Sequence, residues 1–144
     1  MIWEPNSSTP AHSIYAGPGR FEFGNDIDVS PDGQTAALGL NGVTIIDLET
    51  GDLKKFQNAD KSRSVKFSVD GARILTASGG TGGEAQIIDS KTGSILGSYE
   101  TKTYQPRWSP DESKLFFGAH RQGKSAVLDL ENNDLKVFEH GGNP

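Results

Sequence analysis

The chain has 144 residues, of which 33% are hydrophobic, and a net charge of −5. This length suits one domain, and no apolar run approaches the roughly 20 residues that span a bilayer, which excludes a transmembrane helix. The acidic balance argues against nucleic acid and anionic membrane as partners, because proteins that bind them usually carry a basic face. Cysteine is absent, so disulfides and thiolate metal sites are excluded.

Residues 1–20 predict two strands of an incomplete sheet. Ile2–Glu4 has the pattern of one strand, and His12–Ala16 that of the strand that follows it. The alternative is a disordered leader, because the segment is rich in Ser, Pro and Gly. It lacks the basic and apolar regions of a signal peptide, so a cytoplasmic location is expected.

Residues 21–60 predict the first complete unit of four strands. Its strands are Asp26–Ser30, Gln34–Leu40, Val43–Leu48 and Leu53–Gln57. Asn41-Gly42, between the second and third strands, is the strongest short hairpin signal. The unit is therefore expected to be an antiparallel sheet.

Residues 61–101 and 102–140 repeat this pattern, and residues 141–144 form a short tail. The second unit predicts strands Arg63–Ser68, Ala72–Ser78, Glu84–Asp89 and Ser94–Glu100; the third predicts Tyr104–Ser109, Ser113–Ala119, Lys124–Leu130 and Asp134–His140. A period of about 40 residues matches four short strands per unit.

Two positions recur in every unit. The serines Ser30, Ser68 and Ser109 each open a Ser-x-Asp turn, and the aspartates Asp47, Asp89 and Asp129 each close the third strand. Recurrence at the repeat period indicates a structural role, so we expect these aspartates to accept hydrogen bonds from the turn N–H groups that follow.

The segments Val65–Gly71, Arg73–Ser78 and Ile87–Gly93 resemble a WD-type β-propeller repeat of the degenerate, bacterial-like kind. The resemblance covers roughly residues 20–140. It implies an all-β fold: about three four-stranded antiparallel propeller blades, plus an N-terminal half-blade, in an incomplete ring. It also implies a non-catalytic protein-interaction scaffold.

The sequence departs from that family at its most characteristic positions. The Trp of the Trp-Asp pair is replaced by Ile46, Ile88 and Leu128, and no Gly-His pair precedes the first strand of a unit. The buried His–Ser–Asp–Trp network typical of the family therefore cannot form in these units.

One segment matches a phosphate-binding pattern. Gly118–Ser125 fits G-x-x-x-x-G-K-[ST], but a P-loop requires a helix that begins at the Lys. Lys124–Leu130 instead predicts the third strand of its unit. We therefore expect a hairpin here and no nucleotide cofactor.

The hairpins between the second and third strands supply the candidate binding loops. They are Gly79, Gly80, Thr81, Gly82 and Gly83 in the second unit, and His120, Arg121 and Gln122 in the third. Exposed loops on a rigid scaffold often carry binding function.

No catalytic or metal site is predicted. Asp26-x-Asp28-x-Ser30-x-Asp32 lacks the long loop and closing Glu of an EF-hand, and the three histidines lack zinc-ligand spacing. The aromatic side chains on the strands are expected to pack between units: Phe67, Tyr99, Tyr104, Trp108, Phe116, Phe117 and Phe138.

Closed propellers have about 4–8 blades, so three units are expected to belong to a larger or oligomeric propeller. The expected partners are other proteins or further copies of the chain. The alternative is a small-ligand or glycan-binding propeller formed by oligomerisation. A glycan site would repeat an aromatic residue in each unit, but Trp108 aligns with Val29 and Phe67.

Overall fold

The protein is all-β in the part of the chain that the structure describes. The computed structural model describes residues 2–3, 10–12, 26–57, 62–78, 83–100, 105–119 and 123–140. Those residues form strands and turns without a helix. None of the described segments is therefore a helix long and apolar enough to cross a membrane.

Twelve of the strands form three four-stranded antiparallel sheets, each made of strands consecutive in sequence. Sheet 1 contains β3 (Asp26–Val29), β4 (Thr35–Gly39), β5 (Val43–Asp47) and β6 (Leu53–Phe56). Sheet 2 contains β7 (Ser64–Phe67), β8 (Arg73–Ala77), β9 (Glu84–Asp89) and β10 (Ile95–Glu100). Sheet 3 contains β11 (Arg107–Trp108), β12 (Lys114–Ala119), β13 (Lys124–Asp129) and β14 (Leu135–Glu139).

The predicted N-terminal strand pair exists, but its second strand was predicted too late in the chain. β1 (Ile2–Trp3) pairs antiparallel with β2 (Pro10–His12), not with a strand at His12–Ala16. Trp3 pairs with Pro10, which occupies the first position of its strand, where a missing N–H is tolerated. Residues 13–16 lie outside the described part of the chain.

The three repeat units form the predicted strands, with boundaries that differ by at most one residue at each end except in β11. The largest difference is β11, which contains only Arg107–Trp108 instead of Tyr104–Ser109. Pro106 has no N–H to donate to a ladder, so pairing begins after it. Tyr104 lies outside the described residues.

A serine and an aspartate hold the turn between the first two strands of each sheet. In sheet 2, Ser68 Oγ donates to Asp70 Oδ1 (2.6 Å) and accepts from Arg73 N (3.0 Å). Ser30 and Asp32 make the same contacts in sheet 1, as do Ser109 and Asp111 in sheet 3. All three serines are buried.

The sheets pack face to face in chain order through two hydrophobic clusters. The cluster between sheets 1 and 2 contains Ala37, Val43, Phe56, Val65, Ile74 and Ile88. The cluster between sheets 2 and 3 contains Leu75, Ala77, Ala85, Ile87, Leu115, Phe117 and Leu128. We call the side of a sheet that faces the preceding sheet its front, and the opposite side its back.

Candidate functional site

Most of the candidate binding loop residues fall outside the described part of the chain. These are Gly79, Gly80, Thr81 and Gly82 in sheet 2, and His120, Arg121 and Gln122 in sheet 3. Gly83 is described and is buried immediately before β9. The prediction that these loops bind a partner therefore stays a prediction.

The segment that matches the P-loop pattern is a hairpin, as predicted. Gly118 pairs with Ser125 across β12 and β13, and Lys124 begins a strand. Lys124 Nζ lies 2.7 Å from Glu139 Oε1, and Ser125 Oγ lies 2.8 Å from His140 Nε2. The Lys and Ser of the pattern thus contact neighbouring strand residues, without the helix N-terminus that would hold a phosphate.

The recurrent aspartates at the end of the third strand accept turn N–H groups, as predicted. Asp47 Oδ1 accepts from Glu49 N (2.9 Å) and Thr50 N (2.8 Å). In the same way, Asp89 Oδ1 and Asp129 Oδ1 each accept from the backbone N–H groups of the second and third residues that follow.

The turn contacts, together with an ion pair between Lys114 Nζ and Asp129 Oδ2 (3.0 Å), lower the pKa of the three turn carboxyl groups. The N–H of Thr50 lowers the pKa of Asp47, that of Thr92 lowers the pKa of Asp89, and the ammonium of Lys114 lowers the pKa of Asp129. All three groups are thus favoured as carboxylates at neutral pH, which fits a structural role.

The first strand of sheet 1 presents two carboxylates to sheet 2. Asp28 Oδ2 accepts from Phe67 N (2.8 Å), and Asp26 Oδ2 accepts from Val65 N (3.3 Å). Lys66 Nζ lies 3.8 Å from Asp26 Oδ1 and 3.9 Å from Asp28 Oδ1. The motif that loosely resembles a calcium loop therefore serves the contact between two sheets.

Sheets 2 and 3 are joined by an arginine that has both an ionic and an aromatic partner. Arg73 Nη2 donates to Glu112 Oε2 (2.7 Å), and its guanidinium lies 4.9 Å from the centroid of the Trp108 ring. Glu112 also accepts from Val69 N. Such contacts add electrostatic stabilisation to apolar packing.

Two glycines allow sheet 2 to approach the back of sheet 1 closely. A β-carbon on Gly93 would lie 2.5 Å from Phe56 Cγ, and one on Gly71 would lie 3.3 Å from Pro31 Cδ. Both glycines have a positive φ, 74° and 71° respectively. The Phe56 ring therefore packs directly against the backbone of the Gly93 turn.

The outermost faces of the stack expose apolar side chains. On the back of sheet 3, Phe116 is 44% exposed and Phe138 is 50% exposed. On the front of sheet 1, Ile27 and Val29 are 58% and 51% exposed. The prediction that the strand aromatics pack between units holds for Phe67, Tyr99, Trp108 and Phe117, but it is wrong for Phe116 and Phe138 within this chain. Their side chains lie on the back of sheet 3, which none of the sheets in the described part of the chain covers.

The candidate site is therefore this pair of apolar faces. Three units that do not close a ring are expected to leave two sheet faces uncovered, but sequence reasoning did not identify the side chains on those faces. Aligning the units would have done so, because the alignment shows which side of each strand the next sheet covers. Among the described residues, no group of three or more His, Asp or Glu side chains is placed to hold a metal ion.

No protein-family model matches the chain, and no curated protein is similar to it in sequence. Its fold is shared with solved structures, of which 497 chains match. One is a crystal structure of the eukaryotic initiation factor, with a TM-score of 0.64 and 15% identity. The match covers 80% of this chain and 32% of the other, so the chain spans about a third of that protein's length. At this identity the likeness concerns the fold alone.

Proposed function

We propose that the chain is a β-propeller segment of the WD-repeat type and acts as a non-catalytic protein-interaction scaffold within a larger or oligomeric propeller. One observation carries the proposal. Three four-stranded sheets of the same strand order stack front to back, and the first and last present apolar side chains to solvent. Exposed apolar surface of this kind is typical of a surface that binds another protein.

The chemistry of the described side chains supports a binding role over catalysis. The aspartates that recur in each unit accept turn hydrogen bonds, and the Arg73–Glu112 pair joins two sheets. These ionisable groups have structural partners. A rigid stack that holds its loops and faces in fixed positions is what a scaffold requires.

The proposal is tested by affinity capture with matched variants. Phe138→Ser removes an aromatic ring from the back of sheet 3, and Leu96→Ser removes a similarly exposed apolar side chain from β10 (57% exposed). We expect at least one protein to be captured by the parent chain and by the Leu96→Ser variant, and to be depleted about tenfold or more with the Phe138→Ser variant. Identical capture profiles for the three baits would contradict the proposal.

A further inference from the structure

The back of sheet 3 is equivalent, position by position, to the two backs that other sheets cover. In β12–β14, Gly118 pairs with Ser125, which pairs with Phe138. The corresponding triplets are Gly39, Val43 and Phe56 in sheet 1, and Ala77, Ala85 and Tyr99 in sheet 2. Both of those triplets lie beneath the next sheet of the stack, so the triplet of sheet 3, in which Phe138 is exposed and Ser125 is half-buried, has the position of a packing surface.

Two turn glycines on the front of sheet 1 correspond to Gly93 and Gly71, but no described side chain packs against them. Gly51 occupies the same turn position as Gly93 and has a φ of 79°, but a β-carbon on it would meet no atom within 4 Å. Gly33 corresponds to Gly71 and is equally open. In the stack, Gly93 receives the ring of Phe56. The residue equivalent to Phe56 on the exposed back of sheet 3 is Phe138.

The match extends to the second glycine contact. Gly71 contacts the ring of Pro31, and the residue equivalent to Pro31 in sheet 3 is Pro110. The contact between sheets 2 and 3 uses different residues at these positions. Tyr99 replaces the Phe, and Glu112 replaces the glycine of the first turn. Sheet 3 and sheet 1 therefore carry equivalents of the two glycine contacts that join sheets 1 and 2.

The charged positions are also complementary. In the stack, Asp28 faces Lys66 of the next sheet, whereas the equivalent of Asp28 in sheet 3 is Arg107, which would face Asp28 of an added sheet 1. Lys54 Nζ donates to Lys91 O (2.7 Å) across the contact between sheets 1 and 2. Its equivalent in sheet 3 is Lys136, and that of Lys91 is Glu49.

Resting on the proposed function, we propose that the back of sheet 3 binds the front of sheet 1 of a second copy of this chain, head to tail. Phe138 packs on Gly51 of the second copy, Pro110 packs on Gly33, and Lys136 lies beside Glu49. Ala36 and Ile46, at the centre of the sheet 1 front, are already buried. The contacts therefore concentrate on the turns and on the exposed first strand. A head-to-tail contact builds a ring where the rotation closes.

Site-specific crosslinking tests the geometry, because the chain contains no cysteine and only introduced thiols react. Two proteins are made, one with Lys136→Cys and one with Glu49→Cys, both at exposed positions. They are mixed and treated with a short bismaleimide. We expect a crosslinked pair in the mixture and little from either protein alone. An uncrosslinked mixture, or equal crosslinking of the Lys136→Cys protein with itself, would overturn the proposal.

Analytical ultracentrifugation of the Phe138→Ser and Leu96→Ser variants measures how much each side chain contributes to the affinity of self-association. We expect the dissociation constant of self-association to rise at least about tenfold for Phe138→Ser and to stay within about twofold for Leu96→Ser. Equal effects would overturn the assigned face. Loss of crosslinking with retained Phe138-dependent capture of another protein would contradict only the second-copy contact. The opposite pattern would contradict only the role as a scaffold for other proteins.

Discussion

At the scale of single residues, the chain repeats the same serine–aspartate turn in every unit. The buried serine of the first turn donates to an aspartate two residues later and accepts a backbone N–H from the next strand, which leaves its hydroxyl satisfied. A buried hydroxyl with these contacts fixes the turn without a desolvation penalty. Recurrence at a spacing near 40 residues was visible in the sequence, and so was the structural role of the aspartates.

The contribution of the Ser68 hydrogen bonds to stability can be tested by substitution. Ser68→Ala removes the bond to Asp70 and the acceptor for Arg73 N at a fully buried position, so we expect a loss of about 1–3 kcal/mol in the free energy of unfolding. Urea unfolding followed by circular dichroism measures it. Thr50→Ala, at an exposed turn position, is the control, with an expected change of about 0.5 kcal/mol or less.

The corresponding turn of sheet 3 predicts a dependence of stability on pH. The Ser109 hydroxyl, with help from Ser113, lowers the pKa of Asp111 from 3.8 to about 2. Because the folded-state pKa is depressed, this stabilisation is present above about pH 4 and is lost as the pH falls towards 2. We therefore expect Asp111→Asn to be less stable than the parent chain at pH 7, with a difference that shrinks between pH 4 and 2.

Urea unfolding of both proteins from pH 7 to pH 2 provides the measurement. Asp134→Asn removes an equal charge from an exposed position in the turn before β14 and serves as the control. A stability difference between Asp111→Asn and the parent that stays constant down to pH 2 would show that the Ser109 contact does not favour the carboxylate.

At the scale of elements, the sheets depend on glycines for different reasons. Gly93 and Gly51 have nearly the same positive φ, but only Gly93 has a ring against it. Alanine at Gly51 incurs the left-handed backbone cost of about 1–2 kcal/mol, whereas alanine at Gly93 also collides with Phe56, which adds about 1–3 kcal/mol. We expect Gly93→Ala to be the less stable variant.

Thermal and urea unfolding of the two glycine variants separate the backbone cost from the cost of the collision with Phe56. The measurements are made at concentrations where single chains predominate. Equal losses of stability would show that the Phe56 ring moves aside without cost, and the close approach of sheets 1 and 2 would then not depend on glycine.

Glu112 tests the contact between sheets 2 and 3. It has a φ of 57° at a position where the other sheets have glycine, and its carboxylate binds Arg73 and Val69 N. Glu112→Ala loses the carboxylate and keeps the backbone strain, so we expect a loss of about 1 kcal/mol or more. Glu112→Gly relieves the strain and should lie between this variant and the parent in urea unfolding. A glycine variant less stable than the alanine variant would contradict this explanation.

Element boundaries show what the sequence could and could not predict. Turn signals such as Asn41-Gly42 placed all the strands of the three units except β11 within one residue at each end, because turn chemistry is local. The shortened β11 and the early β2 depend on where pairing can begin beside Pro106 and Pro10, which strand patterns do not determine. The contacts of Arg73 with Glu112 and Trp108 join residues 35–39 positions apart, so no local pattern reveals them.

At the scale of the whole molecule, sequence periodicity predicted the number of four-stranded sheets but not which side chains lie on the exposed faces. The apolar side chains of Phe116 and Phe138 were interpreted as packing residues, and their exposure emerges only when the sheets are stacked. The stack has a polarity, since the back of each sheet packs against the front of the next, and the front of sheet 1 carries the same two turn glycines as the front of sheet 2. This polarity makes the two ends complementary and links the proposed scaffold to the proposed contact between copies.

The central claim is that these complementary ends associate. Light scattering after size-exclusion chromatography, over a wide range of protein concentration, tests it most directly. The account predicts a mass above the 15.4 kDa of one chain that rises with concentration, and a return towards 15.4 kDa for the Phe138→Ser variant. A well-folded parent protein that stays at 15.4 kDa at every concentration would contradict it.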